Sequence, residues 1–150
     1  METGLVIRIR EWLVGAEPIE STVSEAHLSL AALLVEMMRA DFEDQSAERE
    51  TATRVLARSC GLDREEAEAL LSRGEHAADR SVSLYEHTRT LDTALSEEEK
   101  FDVIEALWEV AFADGNLDGQ EDFLAHRLAD LLHVRHSDLM RIKDQVLNRM

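Results

Sequence analysis

Oxygen-bearing side chains alternate along one short stretch of the chain: Asp114, Asn116 and Asp118, with Gly119 next. Carboxylate and amide oxygens are the ligands that hard cations such as Ca²⁺, Mg²⁺ and Mn²⁺ prefer. Alternating oxygen ligands followed by a turn glycine match the first half of a calcium-binding loop. The bidentate glutamate that completes such a loop would fall on Ala125, so a cation here must use a different, looser set of ligands.

The same arrangement occurs earlier in the chain. When the sequence is aligned with itself at an offset of 73 residues, Asp41 aligns with Asp114. An acid one helical turn before each loop and another acid at the start of the next helix align at the same offset. Duplicated helical hairpins commonly pack as a pseudo-symmetric pair, so we expect the loops at Asp41–Ser46 and Asp114–Gly119 to lie near one another. The predicted cation ligands are Glu36, Asp41, Glu48, Glu109, Asp114, Asp118 and Glu121.

Helix capping offers an ordinary explanation for some of these acids. Asp118 and Glu121 have the spacing of a capping box, in which each side chain accepts a hydrogen bond from the other residue's backbone N–H. An acid near a helix C-terminus has no such explanation, because it opposes the helix dipole. Four candidates are in that position and are the strongest metal-ligand predictions: Glu36, Asp41, Glu109 and Asp114.

Other site chemistries find less support. His133 and His136 flank a predicted helix boundary, so we expect them on different faces, and His126 follows Asp122 by one turn, as in a surface ion pair. Cys60 is the only cysteine, which excludes an internal disulfide and a zinc site built from thiolates; we expect a buried, unreactive side chain. A metal-dependent hydrolase at the paired acids is the least favoured hypothesis, because it would also need open metal positions and a substrate pocket, which a sequence does not reveal.

Composition narrows the class of protein. The chain has 150 residues, 45% of them hydrophobic, which suits one domain with its own core. With 16 basic and 32 acidic residues the net charge is −16, which disfavours binding to nucleic acids and anionic membranes. One proline, six glycines and few aromatic residues favour helices. No export signal or membrane-spanning segment is visible, so we expect a cytoplasmic protein.

Apolar periodicity predicts an all-α, single-domain bundle of about seven helices. Residues 1–20 form an N-terminal amphipathic arm and residues 21–150 the helical domain. Asp63, Ser96 and Ser137 are predicted N-caps, because each precedes an apolar helical pattern. Gly61 is predicted to end one helix, and Gly74 to end or bend the next.

One stretch of the second unit resembles the signature of the tellurite-resistance protein B (TerB) family: LWEVAFADGNLDGQE, residues 107–121. The first unit, with its Cys60-Gly61-Leu62 helix end, resembles the degenerate first repeat of that family, and the similarity extends over residues 24–148. Phe42 and Gln45 depart from the pattern where Gly115 and Asp118 stand in the second unit. The resemblance implies a helical bundle whose acidic residues bind divalent metal, a place in stress-response and membrane-associated assemblies, and no established enzymatic activity.

The leading hypothesis is therefore a non-enzymatic, acidic, cytoplasmic module that binds Ca²⁺, Mg²⁺ or Mn²⁺ through paired acidic loops and acts in the response to tellurite or metal stress. Its expected partner is an unidentified protein, in a membrane-associated stress-response complex, without nucleic acid and without insertion into the membrane. The alternative is a metal-independent adaptor that docks a partner helix or protein in an apolar groove.

Overall fold

The computed structural model describes residues 20–40, 46–80, 84–117 and 119–150, with side chains from residue 25 onward. Within these ranges the chain forms seven helices and no strand, which confirms the predicted fold class. The predicted N-terminal arm except for Glu20, most of the first acidic loop and Asp118 lie outside the described residues. The helices are α1 (Glu20–Arg39), α2 (Ser46–Cys60), α3 (Arg64–Arg80), α4 (Tyr85–Ala94), α5 (Glu97–Ala111), α6 (Gly119–Leu131) and α7 (His136–Asn148).

Helix α1 lies at the centre of the bundle and packs against α2, α3, α4, α5 and α6. Its residues from Leu30 to Val35 are completely buried, as are Met37 and Met38. A helix that is apolar on all sides is stable only when neighbours cover its whole circumference, so the other helices assemble around this one. The half-buried Glu36 is the acid in this apolar run. No helix in the described part of the chain is long and apolar enough to cross a bilayer.

Helices α1 and α3 approach closely at Gly74. A Cβ atom at this position would lie 2.7 Å from the Cβ of Ala31 and 2.8 Å from its carbonyl carbon. Gly74 is buried in the interior of α3, which continues to Arg80, so of the two predicted roles, ending or bending the helix, the first is wrong. The glycine permits a helix–helix contact that no side chain would allow, and its effect on helix propensity is secondary.

Two helix starts are built as predicted. The Ser96 hydroxyl accepts a hydrogen bond from the N–H of Glu99 (3.2 Å), whose carboxylate accepts one from the N–H of Ser96 (2.7 Å). Asp63 and Glu66 exchange the same pair of hydrogen bonds, at 2.8 and 2.9 Å. The prediction for Ser137 is wrong, because α7 begins one residue earlier.

The start of α7 is stabilised by an ion-pair cluster instead of a side-chain cap. Arg135, its N-cap residue, has no side-chain acceptor and makes no capping hydrogen bond. The carboxylate of Asp138 accepts from Arg135 (3.1 Å) and Arg141 (3.2 Å), and these guanidinium groups, Arg141 foremost, hold its pKa below the usual value. Charge complementarity between neighbouring turns therefore replaces the cap that the sequence predicts.

The internal repeat is visible in the helix boundaries. Helices α2 and α6 begin at Ser46 and Gly119, at the 73-residue offset that relates the two acidic loops. The turn that leaves the preceding helix is also the same in both units. It contains one hydrogen bond at equivalent positions, from the Ala40 N–H to the Met37 carbonyl (3.3 Å) and from the Ala113 N–H to the Val110 carbonyl (3.2 Å).

The two units also end alike. Gly61 has φ +68° and His133 has φ +62°, so each occupies the left-handed region after its helix. The following residues, Leu62 and Val134, donate to carbonyls five residues back, at 3.0 and 2.8 Å. This is the hydrogen bond of a Schellman helix end. The prediction for Gly61 is confirmed, and the second unit forms the same motif with a histidine.

Candidate functional site

Asp114 organises the second acidic loop. Its Oδ1 accepts a hydrogen bond of 3.0 Å from the backbone N–H of Asn116, which is an Asx turn. Gly115 has φ +88°, and its N–H donates to the Phe112 carbonyl at 2.9 Å. A glycine suits this backbone conformation because it has no Cβ. Asp114 is exposed, so one of its carboxylate oxygens shapes the loop at the protein surface.

Glu109, one turn before that loop, is held by two arginines. Arg58 of α2 donates to both of its oxygens, at 2.6 and 3.4 Å, and Arg149, just after α7, lies 3.7 Å away. The Glu109 side chain is only 18% exposed, so these partners compensate its burial. Arg58 is 51 residues away from Glu109 in sequence, and no local sequence pattern predicts the contact. The tertiary fold therefore supplies this acid with a partner that sequence reasoning missed.

A cleft of about 210 Å³ opens beside Glu109. It is lined by Thr51, Arg54, Ala113, Val146, Arg149 and Met150 in addition to Glu109. The cleft thus contains two arginines and one acid, and a cation that entered it would meet net positive charge. A cation that binds Glu109 must therefore approach from the loop side or displace an arginine.

Glu48 and Glu121 are equivalent residues of the repeat, and both are buried at the same helix position. Each is the third residue of its helix, α2 or α6, and each is 0% exposed. Burying a carboxylate is costly, and the positive end of the helix dipole offsets part of that cost. Both units therefore direct a buried acid inward at the point where the chain leaves the acidic loop.

Glu36, the counterpart of Glu109, has a different environment. Burial beside the apolar surface of α1 raises its pKa above the ordinary value, while the charges of Arg39 and His87 lower it and that of Asp79 raises it further. In the part of the chain that the structure describes, no arginine forms a bidentate pair with Glu36 as Arg58 does with Glu109. The two halves of the repeat thus keep the acid but surround it differently.

These acids do not yet amount to a metal centre. Asp41 and Asp118, two of the seven predicted ligands, lie outside the described residues. Elsewhere in the described ranges, no group of three or more His, Cys, Asp or Glu side chains is arranged to hold a metal ion. The cation site therefore stays a prediction, and it requires the loop residues beyond these ranges.

The surroundings of the histidines and of Cys60 depend on residues that the fold brings close to them. His133 lies 3.1 Å from Asp92, whereas the ring of His136 packs on His126, so the two histidines occupy different surroundings, as expected. His126 lies 3.7 Å from Asp122, which confirms the surface ion pair. Cys60 is buried, and burial raises the pKa of its thiol to about 12, so it is the unreactive core residue that the sequence predicts.

An all-helical domain with two helix–acidic loop–helix units defines the class of this protein. The family model described as tellurite resistance protein TerB matches residues 27–144, which includes both units. The chain therefore belongs to the TerB family. No curated protein and no solved structure matches the chain.

Proposed function

We propose that the chain is a non-enzymatic, cytoplasmic module that binds Ca²⁺, Mg²⁺ or Mn²⁺ through its acidic loops and acts in the response to tellurite or metal stress. TerB family membership supports this proposal, and so does the chemistry of the predicted ligands, which are all carboxylates. Its partner is a protein, in a membrane-associated stress-response complex. The net charge of −16 opposes nucleic-acid binding.

One observation carries the cation proposal: the repeat keeps acids at equivalent structural positions in both units. Glu48 and Glu121 are buried at the same position of α2 and α6, and Glu36 and Glu109 precede the two loops. Capping explains only the acids at helix starts, because acids near a helix C-terminus oppose the dipole. A cation between two acidic loops would lower the mutual repulsion of these carboxylates.

The test is to measure the Tm of the tag-free protein, first in EDTA and then at increasing concentrations of Ca²⁺, Mg²⁺ or Mn²⁺. A cation that binds only the folded state at one hundred times its dissociation constant stabilises by about 2.7 kcal/mol. For a domain of this size that corresponds to a rise in Tm of about 5–10 °C. Asp114→Asn should reduce the rise, because the amide still closes the Asx turn but supplies a weaker ligand. Asp144→Asn on α7 is the matched control, since it removes an exposed carboxylate that is not among the predicted ligands.

Arg58 supplies a sharper test of Glu109. Arg58→Gln removes the bidentate partner of that carboxylate, so a cation no longer competes with a guanidinium. If Glu109 is a ligand, the variant should bind the cation more tightly, and Glu109→Gln should bind it more weakly. Equal affinity in wild type and both variants would remove Glu109 from the ligand set. Absence of any Tm rise up to millimolar cation would refute the cation proposal as a whole.

A second candidate function, a metal-independent protein adaptor, has one observation in its favour. Phe123 on α6 is 69% exposed, and Met150 is 66% exposed. Aromatic residues and methionine are enriched at protein–protein interfaces relative to the rest of the surface. A protein whose melting is insensitive to cations, but whose partner binding is lost in Phe123→Ser, would be an adaptor of this kind.

A further inference from the structure

His126 and His136 form a contact that their separation in sequence does not suggest. They stand on different helices, α6 and the start of α7, and their ring centroids lie 5.2 Å apart with an angle of 38° between the planes. The side chain of His126 is one-third exposed, and His136 is exposed, so a dissolved ion can reach both rings. The two accessible imidazole rings therefore lie side by side at the protein surface.

A carboxylate lies beside one ring nitrogen of His126. Its Nε2 faces Oδ2 of Asp122 at 3.7 Å, which is an ion-pair distance and longer than a hydrogen bond. Histidines that bind metals commonly direct their second ring nitrogen toward a carboxylate, which orients the ring and makes the ligand nitrogen more basic. This geometry leaves Nδ1 as the nitrogen of His126 that would bind a metal.

The carboxylate is itself held in place. Oδ1 of Asp122 accepts from Nζ of Lys143 on α7 at 3.2 Å. The same ammonium lies 5.1 Å from the ring centroid of Trp108, which is fully buried and donates its indole N–H to the Leu139 carbonyl at 3.2 Å. Asp122 is thus anchored from the core, and it can orient His126 without being a ligand. The pair thus offers two protein nitrogens, and no group of three or more metal-ligating side chains occurs in the described ranges.

We propose that His126 and His136 form a surface site for a borderline divalent transition metal, Zn²⁺, Ni²⁺ or Cu²⁺, with water in the remaining coordination positions. Imidazole nitrogen is a preferred ligand of these ions, whereas Ca²⁺, Mg²⁺ and Mn²⁺ prefer oxygen. The site is therefore chemically distinct from the predicted site at the acidic loops. It binds a different class of ion through different residues, and it stands or falls independently of the proposed function.

The experiment is a titration of tag-free, full-length protein with Ni²⁺ and Zn²⁺ by calorimetry, beside His126→Gln, His136→Gln and the control His76→Gln. Removing either ligand should weaken Ni²⁺ binding by about tenfold or more, since even the loss of a residue that orients a ligand costs 10–100-fold. His76 is exposed on α3, so its replacement should leave the affinity unchanged. An affinity in either site variant that equals that of the wild type, or an affinity that falls equally in the control, would overturn the proposal.

A spectroscopic readout identifies the ligands without mutation. Cu²⁺ is paramagnetic and broadens the signals of nuclei near it, so substoichiometric Cu²⁺ should broaden the imidazole resonances of His126 and His136 before those of the other four histidines. Uniform broadening of all six, or broadening that begins at His133 beside Asp92, would also overturn the proposal. An excess of Mg²⁺ should not restore the signals, which distinguishes this site from a carboxylate site.

Discussion

His27 should make the stability of this protein depend on pH. It lies on the central helix α1, is 7% exposed, and its Nε2 is buried with no hydrogen-bond partner in the structure as described. Burial lowers the pKa of this imidazole below its ordinary value of 6.5. The unfolded chain therefore binds a proton that the folded chain resists. The contribution of neutral, buried His27 to the free energy of unfolding is therefore retained above pH 6.5 and is lost as the pH falls below that value.

The linkage between proton binding and unfolding sets an upper limit on the stability that is lost at low pH. If the folded protein excluded the proton completely, titration of the unfolded chain around pH 6.5 would cost about 2 kcal/mol at pH 5 and almost nothing at pH 8. For a chain of this length, 2 kcal/mol corresponds to a fall in Tm of about 4–8 °C. His27→Leu has a similar volume and no proton to bind, so it should not show this loss.

The assay is urea unfolding followed by circular dichroism at pH 8, 6 and 5, for wild type, His27→Leu and the exposed-histidine control His76→Leu. The difference in free energy of unfolding between His27→Leu and wild type should grow by up to about 2 kcal/mol from pH 8 to pH 5. Other titrating groups, Glu36 among them, contribute equally to both proteins and cancel in the difference. Parallel profiles for wild type and His27→Leu, or an equal change in the control, would refute the reasoning.

Three further predictions concern helix packing, a buried acid and a helix end. Gly74→Ala should destabilise by about 1–3 kcal/mol in urea unfolding, because its Cβ would overlap Ala31, and a stability equal to wild type would contradict this close approach. Glu36→Gln should be more stable than wild type at neutral pH, and this gain should shrink as the pH falls, because the raised pKa of Glu36 means that its protonation favours folding. A gain in stability that does not depend on pH would contradict this explanation. His133→Gly should stabilise by up to about 1 kcal/mol in melting at pH 8, because glycine adopts φ +62° without strain, and a lower Tm would show that the contact with Asp92 outweighs that relief.

Local signals were reliable where the stabilising partners are close in sequence. The capping boxes at Asp63 and Ser96 join residues three apart, so the spacing of residue types contains all the information needed. The repeat is detectable for the same reason, since its acids, helix starts and helix ends recur at a constant offset. Gly61 ends α2 as predicted, because a left-handed residue after a helix is a local requirement.

Local signals failed where a distant residue decides the outcome. Gly74 looks like a helix terminator in sequence, but it serves the contact with Ala31, 43 residues earlier by their numbering. Ser137 looks like an N-cap, but Asp138 and two arginines stabilise the start of α7. A single glycine or serine is compatible with several roles, and the neighbour that selects among them is brought there by the fold.

The sequence by itself determined the all-α class, the duplicated unit and the acids that mark it, because helix periodicity, capping and loop chemistry act over a few residues. Only the tertiary structure decided what surrounds each acid. It paired Glu109 with Arg58, placed Glu36 against apolar surface and brought His126 to His136. Desolvation and ion pairing depend on which side chains the packed helices bring within a few ångströms, and helices far apart in sequence meet only when the core around α1 has formed.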